Sequence, residues 1–449
     1  MKFLIPAIAI LLCTGSVCPV TAAETPAAEN LQKIDFSNAK IKLKTNKSAL
    51  SYEVNEEMIL TFNLDMGNDS KPTGFFLKYI CLGDDGKTSS GQSPADQPLI
   101  IKTSLSQPGF IRIVVELFDK NGKSFTYQHV QPNGKTVKKN ITYNGGTAVR
   151  PETLTDCGEP ADFDEFWESQ KKRLAAVPFL NHENRKLVLA GTHCNTYALS
   201  IPAPGGRPST GYLYVPVNAK EKSLPIRVVY HGYGNYIQPM HKDAPRDYIF
   251  AEFNAHGQEL AREPEYYKEF FASLGSNGYT YAFDPNSNND RETLFFNGMV
   301  LRNLRGLEFL KTLPEWDGKN ILVTGASQGG LQAMLSAALD PDVTEATPSI
   351  TWCCDIAGNA KKKRVCGGWR LKYTPALDYY DPVFHAKRIR KAKVVITRAG
   401  LGDYTCPPSG LAVCYNNLAT PDKTIIWYQG STHGFKPAGE EIITWTTEK

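Results

Sequence analysis

Ile321-Leu322-Val323-Thr324-Gly325-Ala326-Ser327-Gln328-Gly329-Gly330 is the stretch on which the reading of this chain turns. The apolar, β-branched run 321–324 predicts a buried strand, and 329–339, stopped before Pro341, predicts a helix. Between them stands G-x-S-x-G, with the serine on a sharp strand-to-helix turn. Side chains two residues away on either side of such a turn would collide, and Gly325 and Gly329 remove those collisions. The Ser327 hydroxyl then projects from the sheet edge. The backbone N–H of Gln328, at a helix N-terminus, can face a developing oxyanion.

Outward from this turn, strands and helices alternate. Strands are predicted at 226–230, 279–283, 394–397 and 424–428, and helices at 265–277 and 299–313. Asp162-Phe163-Asp164-Glu165-Phe166-Trp167 opens a further helix, with Asp162 as N-cap and Glu165 completing a capping box. Such alternation predicts a mostly parallel sheet with helices on both faces. The texture before Arg150-Pro151 is different. Short apolar or alternating runs at 41–43, 58–63, 75–82, 111–118 and 125–127 are separated by turn signals, Asn121-Gly122 among them. This predicts an immunoglobulin-like β-sandwich over 24–150, followed by an α/β domain over 151–449.

The composition agrees. The chain has 449 residues, 41% apolar and 21% charged, with 50 Lys+Arg against 46 Asp+Glu, a net charge of +4. This excludes a disordered or fibrous protein and gives no reason to expect nucleic acid or an acidic membrane as partner. The cationic run Lys361-Lys362-Lys363-Arg364 reads as a solvated loop. Residues 1–23 have a basic start, an apolar core too short to span a bilayer, and small residues ending Thr21-Ala22-Ala23. They read as a cleaved export signal, placing the protein outside the cytoplasm, secreted or periplasmic. Cys13 and Cys18 lack the small residue that usually precedes a lipidated cysteine, so a lipid anchor is the minor reading. Eight cysteines follow, and their pairing cannot be read from sequence; none has zinc-ligand spacing with a nearby histidine.

A serine nucleophile needs a base and a group that orients it, here in the order Ser, acid, His. Two histidines follow Ser327. His433 lies in a loop after the strand 424–428, where sites of open α/β sheets form, whereas His385 reads as part of a helix. Asp403, in the loop after the strand 394–397, is the best-placed acid; Asp378 and Asp381 are rivals and Asp355 a further alternative. The loop His231-Gly232-Tyr233-Gly234 follows the strand 226–230, so the Tyr233 N–H is the candidate second oxyanion donor and His231 a structural residue. Trp352, Trp369 and Tyr404 are candidate walls of an acyl pocket.

From about Gly158 to the C-terminus the chain resembles the acetyl xylan esterase and cephalosporin C deacetylase family of α/β-hydrolases. The resemblance is carried by Phe163–Trp167, by His231-Gly232-Tyr233, by the elbow 325–330, and by Gly402-Asp403-Tyr404-Thr405-Cys406-Pro407-Pro408, an Asp shortly before Cys-Pro-Pro. It implies Ser327 as nucleophile, Asp403 as orienter and His433 as base, with Tyr233 and Gln328 as backbone donors and no cofactor or metal. It also implies a homo-oligomer, which the added β domain could block or remake. Two departures stand out: His256-Gly257-Gln258 where the family usually has Arg-Gly-Gln, and Gly434 where Glu often follows the base. The activity implied is removal of O-acetyl groups from xylan fragments or other acetylated sugars. The alternatives are a broader, feruloyl-type or general esterase, a peptidase, and a non-catalytic carbohydrate-binding protein.

Overall fold

The computed structural model describes residues 34–67, 69–180, 183–241, 244–435 and 441–447; the expected export segment lies outside them. Up to residue 149 the chain is all β. The strands are β1 (Lys40–Thr45), β2 (Met58–Asp65), β3 (Phe76–Gly83), β4 (Thr88–Pro94), β5 (Leu99–Thr103), β6 (Gly109–Phe118), β7 (Thr126–Val130), β8 (Thr136–Asn140) and β9 (Thr142–Val149). Two antiparallel sheets form, ordered β1-β2-β5 and β4-β3-β6-β9, with β7-β8 as a separate hairpin. Strand β2 shows why: Met58, Leu60, Phe62 and Leu64 alternate inward, and they meet Leu77, Ile113, Val115 and Leu117 of the facing sheet in one core. Strand β4 has no hydrophobic pattern to announce it, because Thr88–Pro94 is polar and almost wholly exposed.

The rest of the chain builds one ten-stranded sheet, ordered β10-β11-β12-β14-β13-β15-β16-β17-β18-β19. Its strands are β10 (Arg185–Ala190), β11 (Cys194–Ile201), β12 (Ser209–Pro216), β13 (Leu224–Tyr230), β14 (Ile249–Phe253), β15 (Trp316–Ala326), β16 (Glu345–Ser349), β17 (Lys393–Gly400), β18 (Lys423–Tyr428) and β19 (Ile442–Thr446). From β14 to β18 all pairings are parallel; β10 to β12 and β19 are antiparallel. The helices are α1 (Phe163–Ala175), α2 (Pro264–Ala272), α3 (Phe295–Leu310), α4 (Gln328–Leu339), α5 (Ile356–Lys362), α6 (Pro382–His385) and α7 (Pro408–Asn417). Helix α4 is buried on nearly every side: eleven of its twelve residues are packed against the sheet and neighbouring helices.

Several local expectations change. The run 279–283 is a turn, not a strand; Ala282 has φ 65°, and Tyr281 is buried in an aromatic cluster while Tyr279 is exposed. The run Lys361–Arg364 is solvated only in part: Lys361 and Lys363 are exposed at the end of α5, but Arg364 is buried and ion-paired with Asp355, and Lys362 Nζ donates to the carbonyls of Thr155 and Asp156. Asp162 does not cap α1; its carboxylate is taken by Arg291 and Tyr379. Among the described residues all eight cysteines are free thiols.

The two regions do not hang on a linker. Phe110 and Ala148 from the β region belong to the same hydrophobic core as the large sheet. Phe110 packs on Trp427 with ring centroids 5.8 Å apart.

Candidate active site

Parallel strands place their C-terminal ends along one edge of the sheet, and the candidate residues gather there because each sits one to five residues beyond such an end. Ser327 joins β15 to α4 with φ 58° and ψ −116°, a conformation that costs about 1–3 kcal/mol. The turn holds because its backbone is fixed on both sides. Ser327 N donates to Ser349 O at 2.9 Å, and Trp352 N and Leu331 N both donate to Ser327 O. A Cβ on Gly325 would lie 2.6 Å from Gly329 C, and one on Gly329 would lie 2.2 Å from Tyr230 O, so neither glycine is replaceable. The expected mechanics of the motif are met.

Asp403 follows β17 and is 1% exposed. Its Oδ1 accepts from Thr405 N at 2.9 Å and Cys406 N at 3.1 Å, which leaves Oδ2 for His433 Nδ1 at 2.9 Å. His433 follows β18, with its side chain 35% exposed. The structure therefore brings Asp403 and His433 together as a pair. Among the described residues Ser327 makes no hydrogen bond to His433. The Cys406 sulfur lies within 4.8 Å of the Asp403 and His433 side-chain atoms, and the Ser327 hydroxyl is near enough to oppose slightly the rise of its pKa. Burial pushes this thiol well above the ordinary cysteine range, so it stays protonated. Beyond its place in Cys-Pro-Pro, no sequence signal puts Cys406 near the serine.

The rivals are occupied elsewhere. Asp381 accepts from the backbone N–H groups of Asp355, Ile356 and Val383. Asp378 accepts from Tyr373 Oη, and Asp355 pairs with Arg364. His385 is fully buried between Phe163 and Trp167, its Nε2 is 3.0 Å from Tyr379 O, and burial lowers its pKa to about 3.

The loop after β13 faces the elbow. His231 is structural: its Nε2 accepts from Ala255 N at 3.0 Å. Tyr233 stacks on Tyr281 at 4.1 Å and 17°, with Trp352 and Trp369 against its edges. Tyr281 Oη accepts from Gly234 N at 2.7 Å and donates to Gln328 Oε1 at 3.2 Å. One phenol thus ties the loop to the elbow. No sequence signal marks it, since Tyr281 carries no motif and lies in a run whose apolar pattern predicts a strand. Among the described residues neither Tyr233 N nor Gln328 N has an acceptor. Behind the acid loop lies a cavity of about 60 Å³, walled in part by Trp352, Cys366, Tyr404 and Thr405; Trp369 stacks on Trp352 outside it. Where the family usually has Arg, His256 is fully buried and hydrogen-bonded through Nε2 to Gly234 O, its pKa lowered to about 3 by burial. A cation stands beside it all the same, because Arg302 enters from α3 and donates to Ala255 O.

The sequence profile of the family described as acetyl xylan esterase (AXE1) matches residues 154–361. The chain is 29% identical over 280 residues to the acetyl esterase Axe7A of Xylanibacter ruminicola. That match covers 60% of this chain and 62% of the relative, so the chain spans less than two thirds of that relative's length. Among solved structures it is similar to the acetyl xylan esterase from Paenibacillus sp. R4, with TM-score 0.50 and 23% identity over 63% of this chain and 93% of that one. It is also similar to acetyl xylan esterase 1 from Thermoanaerobacterium sp. JW/SL YS485, with TM-score 0.50 and 21% identity over 65% and 93%. At these identities the likeness is one of fold, and the large sheet with its helices has the α/β-hydrolase fold.

Proposed function

We propose that this protein, whose residues 154–361 match the acetyl xylan esterase profile, is a serine esterase removing O-acetyl groups from xylan, xylo-oligosaccharides or other acetylated sugars. The observation that carries the reading is the Asp403–His433 hydrogen bond, 2.9 Å long and set at the same sheet edge as the strained Ser327 turn. Ser327 Oγ attacks the acetyl carbonyl. His433 Nε2 takes the hydroxyl proton and passes it to the departing sugar oxygen, while Asp403 fixes the imidazole tautomer and stabilises its cation. The N–H groups of Tyr233 and Gln328 receive the oxyanion. Water then attacks the acetyl-enzyme with His433 again as base, releasing acetate. Ser327 Oγ comes within reach of His433 Nε2 through a side-chain rotation of the kind that substrate binding completes.

The same reading divides the chain into a cleaved export segment at 1–23, a β domain at 24–150 and the catalytic domain at 151–449. We read the β domain as immunoglobulin-like; the two antiparallel sheets β1-β2-β5 and β4-β3-β6-β9 support a sandwich, with the fourth strand on the sheet of the third. An exported enzyme meets polymer fragments outside the cell, in keeping with a saccharide substrate.

Hydrolysis of para-nitrophenyl acetate and butyrate by the purified protein, beside Ser327→Ala, tests this. Acetate preference that falls at least about a thousandfold in the variant is the expected result. Preference for butyrate replaces the deacetylase with a broader esterase. An inactive protein whose Ser327 resists fluorophosphonate labelling removes the catalytic reading.

A further inference from the structure

Three glycines at the junction of the two regions have ordinary backbone angles, so they are needed for space alone. A Cβ on Gly402, one residue before Asp403, would lie 2.1 Å from Asn144 O of β9. A Cβ on Gly145 would lie 2.3 Å from Gln429 Oε1. A Cβ on Gly146 would lie 2.4 Å from Ile111 O and 3.2 Å from Leu401 O. Strand β9 therefore presses directly on the loop that carries the acid. It is also bonded to the chain that leads to the base. Gln429 Nε2 donates to Gly146 O at 2.6 Å, and Gly146 N donates back to Gln429 Oε1 at 3.1 Å, four residues before His433. Gln429 is 4% exposed, so these two bonds form out of water.

The grip extends to both flanks. Arg112 of β6 lies over the Tyr404 ring at 4.6 Å, next to Asp403 in the chain. Asp84, just after β3, accepts from Val365 N at 2.7 Å and fixes the segment whose Gly367 N donates to Tyr404 O. The acid and base loops also hold each other, through Gly402 N to Ser431 O at 3.0 Å. A sugar-binding appendage would need none of these contacts.

We propose that the N-terminal β domain is a working part of the active site, with β9 holding the Asp403 and His433 loops in register and Gln429 and Gly402 acting as positioning residues. The inference rests on the esterase reading above. It assigns the domain a role in the chemical step, since the distance and angle between acid, base and nucleophile depend on a surface belonging to another domain. Misplacement by about 1 Å at such a distance can cost a hundredfold in rate.

The test is made on the full chain with Gln429→Ala, Gln429→Glu and Gly402→Ala, and with Ile80→Ser on an exposed face of β3 as control. The readouts are kcat and KM on para-nitrophenyl acetate, the rate of fluorophosphonate labelling of Ser327, and the melting temperature. Gln429→Ala is expected to lower kcat and the labelling rate together by about tenfold, with KM within about twofold. Gln429→Glu keeps the acceptor for Gly146 N but sets a buried carboxylate oxygen against Gly146 O, and is expected to lower kcat and the labelling rate at least as far as Gln429→Ala. Gly402→Ala, which drives β9 off the acid loop, falls further, and Ile80→Ser keeps parental rates. Folded Gln429→Ala with both rates within twofold of the parent overturns the proposal, whatever happens to Gly402→Ala. A parent that labels at Ser327 but cleaves no acyl ester defeats the substrate reading and leaves the labelling rates to decide this one. A parent that neither labels nor cleaves defeats both.

Discussion

Replacing Asp403 with Asn separates the carboxylate's two tasks, because its two oxygens do different things. Oδ1 accepts from Thr405 N and Cys406 N and so shapes the loop; Oδ2 faces His433 Nδ1. Asn can keep its oxygen at the Oδ1 position, and the loop then retains both backbone bonds. Its NH₂ group falls at the Oδ2 position and forces His433 Nδ1 to accept. The imidazole proton moves to Nε2, which can no longer take the Ser327 proton. The expected loss in kcat is about 10³–10⁴-fold, or ~4–5.5 kcal/mol, with stability changed by no more than ~1 kcal/mol. Asp403→Ala supplies the contrast. It leaves two buried N–H groups unpaired, costing ~1–3 kcal/mol each in stability on top of the lost activity. Initial rates on para-nitrophenyl acetate and urea unfolding of the same preparations give both numbers. A folded Asp403→Asn enzyme within tenfold of the parent would refute the assignment of Asp403 as orienter and with it the proposed triad.

Tyr281→Phe removes the hydroxyl that joins Gly234 N to Gln328 Oε1; it is expected to lower kcat about tenfold while leaving the nucleophile free to label, and unfolding should show ~1–3 kcal/mol less stability. Asp84 is buried, and that burial raises its pKa to about 6 against the partial opposition of its backbone donors. A folded-state value above the unfolded one means the native state keeps the proton longer, so the group's contribution falls as pH rises from about 4 to about 6 and is flat above. Asp84→Asn removes that decline, and the unfolding free energy of the variant should gain ~3 kcal/mol on the parent between those pH values. His256→Arg would restore the family's usual residue, yet Arg302 already holds the cationic place, with Arg207 beside it. A second buried cation there is expected to destabilise by ~3–5 kcal/mol in urea unfolding, and His256→Gln by much less.

The β domain changes how the site is to be understood. In many layered proteins an added sandwich is a spacer, with few contacts to the catalytic unit. Here a glycine-lined backbone contact and a buried amide pair join it to the loops on either side of the site.

The elbow was legible in the sequence because its constraints are local. A strand, a serine at φ 58° and two glycines clear of collision lie within a few residues of one another. The order of strands placed Asp403 and His433 in loops at the right edge, since parallel strands deliver their following loops to one side. Spacing alone left Asp378, Asp381 and Asp355 open. In the tertiary structure each of the three has another partner: backbone donors for Asp381, Tyr373 for Asp378 and Arg364 for Asp355. Tertiary structure also turned 279–283 from a strand into a turn, because burying Tyr281 at the elbow outweighed local β preference. The contacts of β9 with Gln429 and Gly402 span more than 250 residues of chain and carry no period or motif. Local sterics and hydrophobic alternation are written into neighbouring residues, so sequence fixes the nucleophile turn and the loops. Which distant surface presses on those loops is set only when the whole chain packs.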